Sequence, residues 1–247
     1  MLIAFFLVAC VALVAEDQYR RWRQRRNPAA ATRFRRMNAA RLWRFGAQIL
    51  FAAVLVAAWK MGAWSLASIG IHHPERWLDS ILVGELGFVM MIVGHSLVLF
   101  ATRNLPQVRT AGARANARLW PRTAGLKVLT ILFICAMNPF IEEIVMRGIL
   151  IHQWGLALGS PVLPIAVGFV LNALLHLYQG WRLQLWHALF FAMAVTLLYS
   201  PYGLTAAIVA HIFGDSLPFL FLRRNLRRAR AARIAQRPAK SSTAATT

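Results

Sequence analysis

Residues 128–158 read VLTILFICAMNPFIEEIVMRGILIHQWGLAL, an apolar run broken only by a few polar and ionisable residues. A helix needs about 20 mostly apolar residues to cross the hydrocarbon core of a bilayer. The run is longer than one straight crossing, so tilt is expected, and Pro139 near its middle predicts a kink or a division into two helices.

The same texture extends outward in both directions. Upstream lie apolar stretches at 1–15, 46–71 and 78–101; downstream, after the turn Gly159-Ser160-Pro161, they recur at about 162–178, 185–199 and 203–222. With 59% hydrophobic and only 15% charged residues over 247 positions, the chain is far more apolar than a soluble domain. The fold class is all-α, a polytopic membrane helix bundle of about seven transmembrane helices.

The formal net charge is +20. It sits in blocks between the apolar stretches: Arg20 to Arg44, then Arg103 to Lys127, then Arg223 to Arg228. These are topology charges, and no nucleic-acid partner is implied. Positive loops inside place the N-terminus outside and the C-terminus in the cytoplasm, and seven crossings put every basic block on one side. The first run has its basic block after it, the reverse of a cleaved signal peptide, and is expected to stay as an anchor. The Ala- and Arg-rich composition points to a bacterial inner membrane.

Four segments follow. Residues 1–45 form an N-terminal anchor and basic cytoplasmic loop, 46–125 the second and third helices with a basic loop, 126–222 a catalytic helix core, and 223–247 a basic disordered tail able to meet anionic lipid headgroups. Cys10 and Cys135 lie in apolar runs and imply packing rather than a disulfide. No internal repeat, glycine-rich phosphate loop or CxxC pair is present.

Ionisable groups at membrane depth cost at least about 2.5 to 3.5 kcal/mol each, so they are kept for function or firmly paired. Glu142, Glu143 and Asp215 fall in apolar stretches, with Glu85 near the outer end of the third. Glu143 and Arg147 share a helical face as i and i+4 and predict a structural ion pair. Glu142 points about 100° away and has no cationic partner in the local sequence, the setting expected of a general base. His211 and Asp215 are also i and i+4; facing a bundle interior, they need each other or a third group, which could be substrate, water or metal. His95, His152 and His187 read as interhelical hydrogen-bonding residues.

The blocks Glu142-Glu143-x-x-x-Arg147, then His176, then His211-x-x-x-Asp215, with Pro139 and Gly148 flanking the first, resemble the CPBP family. That family groups CAAX prenyl proteases with bacteriocin-processing enzymes, and its pattern is EExxxR, FxxxH and HxxxN or HxxxD. Asn172 stands where the second block usually has Phe, a departure that bears on the pocket wall and substrate. The resemblance implies an intramembrane glutamic endopeptidase without cofactor or metal, acting on a membrane-associated peptide or protein. Its catalytic residues would be Glu142, Glu143, His176, His211 and Asp215, supported by Arg147 and Asn172: Glu142 activates a water also held by His176, while His211 and Asp215 stabilise the oxyanion or orient attack.

Asp215 could act as a neutral hydrogen-bond donor, mimicking the amide of Asn, or as an ionised acceptor from His211. One geometric difficulty stands in the way of this site, because the span boundaries set His176 nearer the cytoplasmic side than His211. Two Glu, two His and an Asp could alternatively ligate zinc, although HExxH spacing is missing. A transporter or a non-enzymatic immunity factor are further readings from another class. Oligomeric state and substrate identity are not encoded in any motif.

Overall fold

The computed structural model describes residues 2–26, 34–101, 124–176 and 181–220. The expected disordered tail at 223–247 and the basic loop between the third and fourth helices lie largely outside these. Seven helices run through the described residues: α1 (Leu2–Arg26), α2 (Phe34–Lys60), α3 (Trp77–Ala101), α4 (124–158), α5 (Val162–His176), α6 (Trp181–Leu198) and α7 (Gly203–Leu220). Two short 3₁₀ turns, Ala67–Ile69 and Pro74–Arg76, join α2 to α3. No strand occurs among the described residues, in agreement with the all-α expectation.

Two stretches, Trp77–Val98 and Val128–Leu158, are long and apolar enough to cross a membrane, and shorter apolar helices occupy Ile3–Ala12, Phe45–Lys60, Val162–His176 and Gln184–Leu198. The face that α3 turns outward is dominated by apolar residues: Leu78, Leu82, Leu86, Val89, Val93, Leu97 and Phe100 recur at helical spacing and are each at least half exposed. A continuous exposed stripe of this kind needs an apolar solvent. The opposite face carries Ser80, Gly84 and Met91 into the bundle.

The core is built around α4. Ile141, Ile144, Val145, Met146 and Ile149 to Ile151 pack with Phe190, Phe191 and Ala194 of α6 and with Leu204, Ala206, Ala207 and Ala210 of α7. Small residues let the backbones close up, as expected where lipid supplies no hydrophobic drive between helices. A Cβ on Gly84 would fall 2.7 Å from the Ala206 carbonyl oxygen, and one on Gly148 would fall 2.9 Å from the Ile69 Cβ.

Two expectations need correction. The second apolar stretch does not run as a helix to residue 71: α2 stops at Lys60, and Gly62 turns the chain with φ +71°. The following apolar residues fold back on the bundle, where Trp64 donates from Nε1 to the Leu55 carbonyl at 3.2 Å and Ile69 is fully buried. The loop is clasped to α7 by Leu204 N–H donating to the Gly70 carbonyl at 2.9 Å, with Gly203 (φ +60°) packed so close to that carbonyl that a side chain has no room.

At the N-terminus, α1 carries the apolar run onward through Arg26. Finally, Pro139 does not divide α4. It sits in the first turn of an α segment, Asn138–Glu142, entered from a π-helical turn, Phe133–Met137. Proline lacks the N–H that an α-helix would use there, and the widened turn ahead of it accommodates the loss.

Candidate active site

The segment from Glu143 to Gln153 is also π-helical, 11 residues long, and buried from Glu143 to His152. Such wide turns usually occur singly and at functional positions. Here the expected i,i+4 pair survives: Arg147 Nη1 lies 3.2 Å from Glu143 Oε1, with both side chains fully buried. The same nitrogen lies 3.9 Å from Glu142 Oε1, so the second glutamate is not without a cation after all. The wider turn brings the guanidinium toward both carboxylates.

Arg147 is held by charge and by aromatic faces rather than by a hydrogen-bonding fork. Its guanidinium carbon stands 5.0 Å from the Phe191 ring centroid and 5.7 Å from that of Phe190. Its nitrogens make no well-angled hydrogen bond among the described residues, nor does Glu143 Oε2. The 3.2 Å approach is therefore a Coulombic contact with poor directionality, stabilised by cation–π attraction.

Glu143 has a second partner across the bundle. His211 Nδ1 lies 2.7 Å from Glu143 Oε1, and because a carboxylate only accepts, the imidazole donates. Glu143, a partner not among the substrate, water or metal that the sequence suggested, thus meets His211. His211 Nε2 faces Asp215 Oδ2 at 3.7 Å, an i,i+4 contact too long for a good hydrogen bond. Phe190 packs on the His211 ring with centroids 4.5 Å apart, and the Cys135 thiol approaches the Asp215 backbone carbonyl at 3.7 Å.

The two adjacent carboxylates differ in access. Glu143 is 0% exposed and Glu142 19%. Asn138, one turn earlier, donates from Nδ2 to Glu142 Oε2 at 3.3 Å, and Gln48 on α2 donates from Nε2 to Asn138 Oδ1 at 2.8 Å.

At the end of α5, His176 places Nδ1 2.8 Å from the Asn172 backbone carbonyl. A carbonyl accepts only, so that nitrogen carries the proton. Asn172 itself is buried, and the contact with His176 is made by its backbone. Glu142 lies within electrostatic reach of both His176 and His211. His187 of α6 stacks on His176 with ring centroids 3.9 Å apart and planes 23° apart, which places it beside the cluster.

The remaining histidines lie elsewhere. His152 engages the Ser68 carbonyl at 3.1 Å, and His95 meets the edge of Trp186 at 4.3 Å. Among the described residues no three of His, Cys, Asp and Glu converge as a metal ion requires. Sequence reading missed Gln48, Asn138, His187 and the phenylalanine pair. A signal for Gln48 was available: it is the lone hydrogen-bonding side chain in the apolar run 46–58.

No curated protein and no solved structure gives a significant match to the chain. The profile of the Rce1-like family, described as type II CAAX prenyl endopeptidase Rce1-like, matches residues 124–217, from the start of α4 to near the end of α7. That segment holds every acidic and histidine residue of the cluster just described. Over this segment the chain is thus similar to the Rce1-like CAAX prenyl endopeptidases, a family of membrane-embedded proteases.

Proposed function

We propose that the protein is an intramembrane glutamic endopeptidase in which Glu142 is the general base. One observation carries this reading: of the two neighbouring carboxylates, Glu143 is fully buried between Arg147 and His211, and only Glu142 keeps an accessible face. A base must reach the proton it removes, so geometry selects between the two before chemistry does.

In this mechanism a water beside Glu142 gives its proton to the carboxylate while its oxygen bonds to the scissile carbonyl carbon. The carbonyl π electrons move to oxygen, forming a tetrahedral oxyanion. His176, protonated on Nδ1 by its contact with the Asn172 carbonyl, offers Nε2 as the acceptor for the second water hydrogen. His211, held through Nδ1–H by Glu143, faces the oxyanion as an imidazolium that donates from Nε2, with Asp215 beside it; preorganised donors in a dry site supply the largest catalytic gain. Collapse of the intermediate breaks the C–N bond, and the proton held by Glu142 passes to the leaving nitrogen. Glu143 and Arg147 hold the frame.

The substrate is a peptide or protein anchored in or beside the membrane, cut where its chain meets the site. We place the enzyme in the cell membrane as a multi-pass protein of seven spans, N-terminus outside and C-terminus cytoplasmic; the support is the alternation of basic blocks with apolar runs. Reporter fusions at both ends test the orientation, and a C-terminal reporter active only outside the cytoplasm contradicts it.

The activity is tested by comparing membrane peptides from cells producing wild-type protein with those producing Glu142→Gln, which keeps shape and hydrogen bonding but removes the base. Peptides ending at a new C-terminus should disappear in the variant. Removal of a general base costs about 10²- to 10⁴-fold. A peptide profile unchanged between the two strains would overturn the proposal, and loss of wild-type cleavage on adding a membrane-permeant chelator would favour a zinc mechanism instead.

A further inference from the structure

Gln48 lies on α2, outside the segment that matches the protease family, yet it reaches the carboxylate proposed above as the base through a single intermediary. We propose that Gln48 and Asn138 form a directional hydrogen-bond relay that positions Glu142, so that α2 is part of the catalytic apparatus rather than an added membrane anchor. The inference rests on Glu142 being the base.

The direction of the relay follows from chemistry alone. A carboxylate can only accept, so Asn138 must turn its NH₂ group toward Glu142 Oε2, at 3.3 Å. This leaves Asn138 Oδ1 pointing at Gln48, which must in turn present its own NH₂, at 2.8 Å. Neither amide can flip without setting oxygen against oxygen.

Gln48 is also committed to this contact at its own expense. Its Oε1 is buried and finds no hydrogen-bond partner among the described residues. A glutamine retained only for helix packing in an apolar run would be replaced at no loss by an apolar side chain, since an unpaired buried carbonyl costs stability. Its one satisfied end is the end that fixes Asn138. The contact joins residues 90 positions apart in sequence, so it also ties the depth of α2 to the turn of α4 that carries Glu142.

The effect is on orientation. A carboxylate with one oxygen held by Asn138 and the other 3.9 Å from Arg147 Nη1 keeps its remaining lone pairs aimed at one region. Freed from Asn138, it swings toward the guanidinium and away from the water.

Substitutions that reverse the relay test it more sharply than those that delete it. Gln48→Glu keeps size and shape, but the new carboxylate can only accept. Asn138 must then turn its NH₂ toward α2 and its oxygen toward Glu142. With a quenched fluorescent peptide spanning the bond cleaved in the membrane-peptide comparison, turnover by Gln48→Glu should fall about 10- to 100-fold with KM unchanged, the equivalent of one hydrogen bond to a charged group. Asn138→Ala should fall by the same factor, and the double variant should be no worse than Asn138→Ala alone, because Gln48 acts only through Asn138. Gln48→Met, similar in length and unable to reverse the amide, should lose less than Gln48→Glu.

Equal activities of Gln48→Glu and wild type, or additive losses in the double variant, would overturn the relay. The wild-type and Glu142→Gln pair run alongside separates the two levels. An active Glu142→Gln removes the reading of Glu142 as base, whereas an inactive Glu142→Gln beside a fully active Gln48→Glu removes the relay alone.

Discussion

Along α3 an exposed stripe from Leu78 to Phe100 is built of leucine, valine and phenylalanine, whereas along α4 the residues from Glu143 to His152 are all buried and include a carboxylate, a guanidinium and an imidazole. In water the arrangement would be reversed. The difference shows where each helix finds its solvent: α3 spends its apolar face on lipid, and α4 is wrapped by α5, α6 and α7, which lets it keep charge at membrane depth. The cost of that charge is met locally by the Glu143 contacts to Arg147 and His211 and by the Phe190 and Phe191 faces. Removing one member of such a set is therefore worse than removing a whole side chain from the lipid face.

The contrast breaks most visibly at Arg147. Arg147→Ala strands Glu143 in the core, and losing one partner of a buried pair typically costs about 3 to 5 kcal/mol. Low yield and early melting in detergent are expected; a variant that accumulates and melts like wild type would show that Glu143 does not depend on it. Next in size is Asp215. If it donates to the oxyanion, Asp215→Asn keeps most activity while Asp215→Ala loses about 10²- to 10³-fold. Cleavage rates of the two purified variants decide the matter, and equal inactivity assigns an accepting role instead.

A smaller effect is expected where α3 touches the bundle. Gly84→Ala forces a methyl group against the Ala206 carbonyl and Val209, and overpacking of this kind costs about 1 to 3 kcal/mol. The helices must separate, and a fall in melting temperature with activity retained in the cold is the expected pattern. On the other face of the same helix, Leu82→Ala should shift stability by no more than about 0.5 kcal/mol, because lipid tails are as apolar as leucine. A large loss there would identify the face as a protein contact.

Much of this site was legible in the sequence because its chemistry is expensive in a membrane. Glu142, Glu143, Arg147, His176, His211 and Asp215 stand out against apolar neighbours, and the structure gathers them. The partner of His211 could not be read locally, since Glu143 lies 68 positions away and reaches it across the bundle. The end of α2 was misread for a different reason: hydropathy does not distinguish burial in lipid from burial in protein, so Trp64, Ile69 and Ile71 prolonged an apparent span that the chain uses as a folded-back loop. The continuity of α4 was hidden because hydropathy is equally blind to the width of a helical turn. Both i,i+4 and i,i+5 closures suit the same apolar residues.

That blindness has a practical consequence for anyone comparing this chain with others. A π turn holds one more residue than the α turn it replaces, so Phe133–Met137 carries an extra position inside a helix. A related chain with a regular helix there would align only with a gap in the middle of a transmembrane segment, where gaps are normally forbidden. Forcing the alignment without it would pair each residue beyond the turn with a neighbour about 100° around the helix, and would match Glu142 with a position that faces elsewhere. Deletion of Ala136 is the corresponding experiment: the turn closes to α, the EExxxR block rotates relative to the entry of α4, and cleavage should stop in a protein whose amino acids at the site are all still present.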